Sequence, residues 1–409
     1  MENISYSKMC EDSPGLEQVI SKGMWDYMSG SDKFTSNVMR TVWSRNVKKN
    51  LKKLYPKHGS LTESFFSFCR DKVLIGVGAG PSLKNNIDHL KELFYYNLKF
   101  SLDEQPFIIA ASNHQYKPLL KMGIAPHFVF LTDGGDHIHD QLCTDIPNIG
   151  QATVLIASIY GNHKTIKAWV GQGRHVCFTI PGNDEYQQMF KDIIGEDPEP
   201  VTAGGGGNVL NSMFTTGMKI LHSRYFIALG NDLSYPYDDN IDKRRNTFYA
   251  DGDYSVNIKK GVDEVKDRYV WVGYTMRDNP FEKGKTIAEF KPVATSRQLF
   301  IYKAWIELHV TAWATTQPDP FIYYNCSEGG IAGVLARDTS SLELMHDPDN
   351  WYLMDEVVPK RWRTRTLLQA ANQFLEASLI CREKGANAII SPGRTDSVLS
   401  VGQNHKIIR

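Results

Sequence analysis

Between Lys72 and Leu229 the chain alternates two kinds of stretch. Short apolar runs lie at 73–78, 107–111, 127–131, 152–157, 175–179 and 224–229, most of them rich in β-branched or aromatic residues and without clean alternation. Such runs suit strands covered on both faces. The intervening segments 84–98, 115–122, 163–171, 184–194 and 208–222 carry helical patterns. Strand and helix in alternation predict right-handed βαβ units in a mainly parallel sheet, an α/β fold with helices on both faces.

Residues 1–70 read as a mostly helical addition. Met39, Val42, Trp43, Val47, Leu51 and Leu54 recur at steps of three and four, as on one helix face. The opposite face carries Arg40, Arg45, Lys48, Lys49, Lys52 and Lys53, with Lys57 just beyond, and no acid falls between Asn37 and Gly59. A solvated face and a docking face for an anionic partner, nucleic acid included, both fit that pattern. Residues 71–334 are expected to form the main α/β unit. Within it the periodicity fades from Asp238 to about Pro292, where charges, glycines and aromatics mix as in an excursion or lid. A helix is expected over 296–311 and a strand over 321–325. The remainder, 335–409, reads as mostly helical, with a helix at 363–384.

Composition narrows the partners. Lys+Arg and Asp+Glu both total 46 and the formal net charge is zero, so there is no chain-wide drive toward nucleic acid or an anionic membrane. Apolar residues at 42% and charged residues at 22% supply a core and exclude global disorder. The cysteines at 10, 69, 143, 177, 326 and 381 form no Cys-x-x-Cys pair and read as free thiols of a reducing compartment. The start Met-Glu-Asn-Ile-Ser-Tyr lacks the pattern of a signal peptide, and no apolar run is long enough for a spanning helix. A cytoplasmic location is the expectation.

Candidate chemistry sits where runs end. After the first run comes Gly78-Ala79-Gly80-Pro81-Ser82-Leu83. Its glycines permit close backbone approach, Pro81 suits a first helical turn, and the free amides of a helix N-terminus attract a phosphate. The third glycine of a dinucleotide fingerprint and the Gly-Lys-Ser/Thr of a Walker loop are both missing. Asp133, Asp136, His137 and His139 follow the third run. Carboxylates and imidazoles at strand carboxyl ends can hold Mg²⁺ on phosphates, Asp133 being the candidate ligand, or act as acid and base. Gly204, Gly205, Gly206, Gly207 and Asn208 open another helix as a candidate anion nest. Asp232 and Tyr235 follow the sixth run, and Ser112, Asn113 and His114 the second. His222, alone on an apolar helix, reads as a packed side chain. No Gly-x-Ser-x-Gly elbow, His-Glu-x-x-His motif or convincing Cys/His pair is present.

Taken in order, these motifs resemble a known family. Gly78-Ala79-Gly80-Pro81-Ser82-Leu83, the stretch Gly123-Ile124-Ala125-Pro126 running on to Asp133, Gly206-Gly207-Asn208-Val209, Leu229-Gly230-Asn231-Asp232-Leu233-Ser234-Tyr235 and Asn325-Cys326-Ser327-Glu328-Gly329-Gly330 look like motifs of the MptE-like Rossmann family, with His127 where an Asp is usual. That family includes archaeal 6-hydroxymethylpterin diphosphokinases and the motility-associated factors that glycosylate flagellin. More distantly, Gly-x-Gly-Pro-Ser-Leu followed by Ser112-Asn113-His114-Gln115 is similar to bacterial sialyltransferases, in which Asn residues face a cytidine nucleotide; Ala79 stands where those enzymes carry Asn.

The resemblance implies a Rossmann-like fold and a transferase. One reading is a glycosyltransferase that takes a nucleotide-sugar and passes the sugar to a hydroxyl of a bulky acceptor. In it Gly78–Ser82, Ser112, Asn113 and Gly204–Asn208 hold the nucleotide, and Asp133, Asp232 or His137 is the base. Asp136, Tyr235 and Glu328 contact substrate, and Mg is compatible but not required. The alternatives are a 6-hydroxymethylpterin diphosphokinase using ATP and Mg, and a nucleotide-binding module without catalysis.

Overall fold

The structure, a computed structural model, describes residues 6–13, 16–61, 68–136, 138–144, 149–182, 184–198, 207–236, 268–282, 285–316, 321–341, 343–344 and 347–383. Four helices come first: α1 (Tyr6–Asp12), α2 (Leu16–Val19), α3 (Lys22–Lys53) and α4 (Tyr55–His58). The alternating part follows as β1 (Val73–Val77), α5 (Leu83–Asn97), β2 (Phe107–Ser112), α6 (Asn113–Lys121), β3 (Phe128–Leu131), α7 (Ile138–Leu142), β4 (Val154–Ser158), α8 (His163–Gly171), β5 (Val176–Thr179), α9 (Asp184–Ile194), α10 (Val209–Lys219) and β6 (Tyr225–Leu229). Next come β7 (Tyr235–Pro236), β8 (Arg268–Asp278), β9 (Thr286–Ser296), α11 (Arg297–Thr316), β10 (Ile322–Asn325), β11 (Gly329–Gly330), β12 (Val334–Ala336), β13 (Trp351–Leu353), β14 (Trp362–Thr364) and α12 (Leu367–Glu383).

Eight strands form one parallel sheet in the order β14-β10-β6-β1-β2-β3-β4-β5. The six early runs are buried along almost their whole length, which explains their lack of alternation. Alternate residues feed two cores. Leu74, Ile108, Phe128, Phe226 and Tyr323 pack with Leu210, Met213 and Phe214 of α10 and with α11. On the other face Ile75, Ile109 and Ile227 pack with α5 and α12, and Val129, Leu155 and Phe178 with Tyr116, Ile166 and Trp169.

Helix α3 joins the two sides. It begins at Ser21, whose side chain accepts from Met24 N, and its 32 residues extend about 48 Å. Trp25 and Met28 belong to one core, and Val47 and Leu51 to the other. It follows that the predicted apolar stripe is the part of the helix that covers β3 to β5.

Three expectations are changed by the structure. Residues 268–296 are not irregular: β8 and β9 pair over eleven positions, within a four-stranded antiparallel sheet of order β11-β8-β9-β7. The rest of the expected excursion, 237–267, lies outside the described residues. The main sheet continues past residue 334, because β14 pairs with β10 and α12 packs beneath it. His222 is exposed rather than packed, at φ +51° just after α10 ends. Among the described residues Cys10, Cys69, Cys143, Cys177 and Cys326 are free thiols, and no helix is long and apolar enough to cross a membrane.

Candidate functional site

Chain direction across the sheet reverses beside β1. From β1 the chain steps through β2, β3, β4 and β5, then returns to place β6 on the other side of β1. Open α/β sheets hold ligands at such a switch point, at the carboxyl ends of the strands. The turn after β1 and the turn after β6 meet there. Gly78 N donates to Leu229 O and Gly80 N to Gly230 O, both at 2.8 Å, so the ladder runs on beyond the strands. A Cβ on Gly78 would lie 2.7 Å from Gly230 O, and one on Gly80 would overlap the Asp232 carboxylate. Close approach of the two backbones is thus what these glycines provide.

Asp232 closes the meeting point. It is 4% exposed; Ser82 N donates to its Oδ1 at 3.1 Å and Ser82 Oγ lies 2.7 Å from its Oδ2. Ser82 makes no cap bond of its own, and its hydroxyl and N–H are turned to the Asp232 carboxyl instead. Burial raises its pKa to about 7 against the pull of the Ser82 bonds. The turn is locked from behind: Asn231 N donates to Ser327 Oγ, Asn231 Nδ2 to Tyr323 Oη, and Ile331 N to Asp232 O. Tyr274 of β8 is fully buried near this carboxylate, and its hydroxyl has no hydrogen-bond partner among the described residues. Burial and then the Asp232 charge raise its pKa.

A second helix N-terminus approaches β1 from the opposite face. Leu210, in the first turn of α10, packs where Gly76 of β1 leaves room; a Cβ there would lie 2.8 Å from Leu210 Cδ1. Asn208 caps α10 by accepting from Asn211 N, and Gly207, at φ +77°, sits where any side chain would overlap Tyr302. Gly204, Gly205 and Gly206 lie outside the described residues.

Along the same rim stand the ends of β2 and β3. Ser112 is buried and its Oγ has no partner among the described residues, while Asn113 Nδ2 donates to Gln141 Oε1 at 2.6 Å. Asp133 is half-buried and its Oδ1 accepts from Gly135 N at 2.7 Å. Asp136 is exposed and accepts from Asn162 Nδ2 at 3.0 Å; His137 lies outside the described residues. Because β6, β1, β2 and β3 are consecutive, Asp133 and Asp232 stand three strand spacings apart, about 14 Å. They are separate poles of one rim and do not share a proton or an ion. Among the described residues no three His, Cys, Asp or Glu side chains are grouped to hold a metal, so a cation on Asp133 would depend on ligand oxygens.

Tyr235 is half-buried in β7 opposite Ala294, and Glu328, at φ +59°, accepts from Leu367 N at the start of α12. Burial raises the Glu328 pKa. Both belong to the β6–β10 flank and not to the Asp133 pole.

Sequence reasoning missed the residues that cover the β3 and β4 ends. Asn46 Nδ2 donates to Gly134 O and Tyr160 O, and Asn50 Nδ2 to Ile159 O and Gly161 O. Trp43 stacks on Tyr160 at 4.7 Å between ring centroids and lies against Gly134. Burial chiefly, then the Asp133 charge, raises the Tyr160 pKa. Two asparagines inside an otherwise apolar and basic helix were the available signal. His127 likewise gains a role: Ile109 N donates to its Nδ1 and its Nε2 lies 2.7 Å from Gln105 Oε1.

Residues 44–238 match a family model described as 6-hydroxymethylpterin diphosphokinase MptE-like. This stretch of the chain is similar to that family. The matched segment holds β1 to β6, both helix N-termini of the crevice, Asp133, Asp232 and the asparagine-bearing end of α3. No curated protein matches the chain. Among solved structures, the MAf glycosyltransferase from Magnetospirillum magneticum AMB-1 is similar at 15% identity and a TM-score of 0.41. The match covers 73% of this chain and 40% of that one, so the chain spans about two fifths of that protein's length.

Proposed function

We propose that the protein is a glycosyltransferase that takes a nucleotide-sugar and passes the sugar to an acceptor hydroxyl. One observation carries the reading. Two glycine-preceded helix N-termini, those of α5 and α10, converge from opposite faces on the switch point of a parallel sheet. A half-exposed carboxylate, Asp133, stands further along the same rim. Helix N-termini stabilise the negative charge that develops on a departing diphosphate. Asp133 takes the acceptor proton as the acceptor oxygen bonds to the anomeric carbon. The bond from that carbon to the phosphate oxygen breaks, and the nucleotide leaves with the electron pair.

Burial divides the two aspartates. Asp232 at 4% exposure is enclosed by its own fold and holds Ser82 at the start of α5; Asp133 is open enough to meet an acceptor. A diphosphokinase would use the same crevice for ATP, and the description of the matching family favours that as the second reading.

The test is a panel of nucleotide-sugars, and ATP with 6-hydroxymethyldihydropterin, each with and without Mg²⁺. Free nucleotide released from one sugar donor, with sugar recovered on an acceptor, is the expected result. AMP formed only in the presence of the pterin would replace the proposal with the second reading.

A further inference from the structure

A second concavity lies between α3 and α8, apart from the glycine crevice. It is an open cleft of about 430 Å³ lined by Lys49, Lys53, His163, Lys164, Lys167 and Ala168. Lys49 and Lys53 are one turn apart on α3, and Lys164 and Lys167 one turn apart on α8. All four are exposed, and none has an ion pair or hydrogen bond among the described residues. Like charges one turn apart destabilise a helix. Here two such pairs face one another with no acid in the lining, an arrangement that a bound anion relieves.

His163 turns a charged surface into a built site. It is 8% exposed, and its Nδ1 lies 2.8 Å from Asn50 Oδ1. Asn50 Nδ2 is committed to two backbone carbonyls, so its Oδ1 is the acceptor and His163 Nδ1 carries the proton. Nε2 is then the ring's remaining polar atom, an acceptor while the ring is neutral and a donor once it is protonated. Lys49 and Lys53 from α3 and Lys167 from α8 face this ring, and they follow burial as the causes of its lowered pKa.

We propose that the Lys49–Lys53–Lys164–Lys167 cleft binds a compact oligophosphate, whether free or as the phosphate tail of a nucleotide. Four ammonium groups and an imidazole on one concavity match an anion of three or more charges. Arginine, whose planar fork suits carboxylates, is absent from the lining. Tyr27, Val38, Tyr95, Leu98, Leu102, Ile149, Val270 and Phe281 are the exposed large apolar residues among those described; none lines the cleft, which argues against a membrane surface. The site is independent of the transferase reading.

The probes are inorganic tripolyphosphate, ATP and a 20-nucleotide single-stranded DNA, titrated into the whole chain at low salt. Binding is read by calorimetry and by the His163 imidazole resonance. Tripolyphosphate is expected to bind saturably, more weakly as salt rises, and to raise the His163 pKa. Lys49→Gln with Lys53→Gln, and separately Lys164→Gln with Lys167→Gln, should each weaken it about tenfold or more, with the melting temperature held or raised. Equal affinity for ATP and tripolyphosphate means the phosphates alone are read; tighter ATP means the nucleoside adds contacts; either sustains the proposal. No saturable tripolyphosphate binding, binding untouched by both double variants, a His163 resonance that does not respond, or DNA binding that tripolyphosphate does not displace would each overturn it.

Discussion

Asp232 is held by the chain segments it connects: a backbone amide and a hydroxyl of Ser82 meet its carboxylate, and Ile331 N meets its carbonyl. A group so enclosed positions other groups. Asp232→Asn should therefore weaken nucleotide binding and disturb the Gly80–Ser82 turn, whereas Asp133→Asn should leave nucleotide affinity near wild type and lower kcat about a hundredfold or more, as expected for loss of a general base. Isothermal titration with nucleotide alongside steady-state turnover separates the two; a reversed pattern would exchange their roles. Gly80→Ala has no room for its methyl group, with Gly230 O 2.6 Å away and the Asp232 carboxylate in the same space. It should cost about 1–3 kcal/mol in thermal or denaturant unfolding and lower nucleotide affinity as well.

At the scale of elements, α3 is fastened to the sheet by amide side chains as well as apolar ones. Asn50→Ala removes the donor to Ile159 O and Gly161 O and the partner of His163 Nδ1. About 1–3 kcal/mol of stability is expected to go with each buried group left unpaired. Faster hydrogen exchange confined to α3 and the loop after β4 would mark the lesion, and uniform acceleration across the sheet would refute a local role. The strands and helices of the alternating part were legible because their apolar runs and periodic segments report burial directly. Hairpin β8–β9 was not legible. Its strand β9 buries few residues, so the alternation that marks a half-covered strand is diluted by exposed positions. β14 was read as the start of a helix because three residues before a strongly helical segment carry too little pattern of their own. The bond from Asn46 to Tyr160 O escaped for a related reason: a contact across more than a hundred residues leaves no periodic trace.

For the whole molecule, buried titratable groups set how stability varies with pH. His127 is pushed down to about 4, chiefly by burial and then by Lys72, and His309 to about 3, chiefly by burial. Below the ordinary histidine range near 6.5 the unfolded chain binds these protons and the native fold does not, so their contribution is lost as pH falls from about 6.5 toward 4. Asp232 has the opposite sign. Raised to about 7, its contribution is present at low pH and lost as pH rises through 7. Melting temperatures from pH 4 to 8 should therefore show an acid limb that is shallower in His127→Gln. The difference between Asp232→Asn and wild type should move in the variant's favour as pH rises from about 4 to about 7 and level off above that, and a constant difference would remove Asp232 as the titrating group.

The α/β class, the succession of strands along the chain and the glycine turn after β1 are legible in residue type and local spacing, because these report backbone freedom and burial on both faces. That this turn meets Asp232, that Asp133 stands about 14 Å away along the rim, and that lysines more than a hundred positions apart line one cleft come from packing alone. Those distances follow from the reversal of strand order at β1, and strand order comes from how the elements pack, which no local window of residues contains.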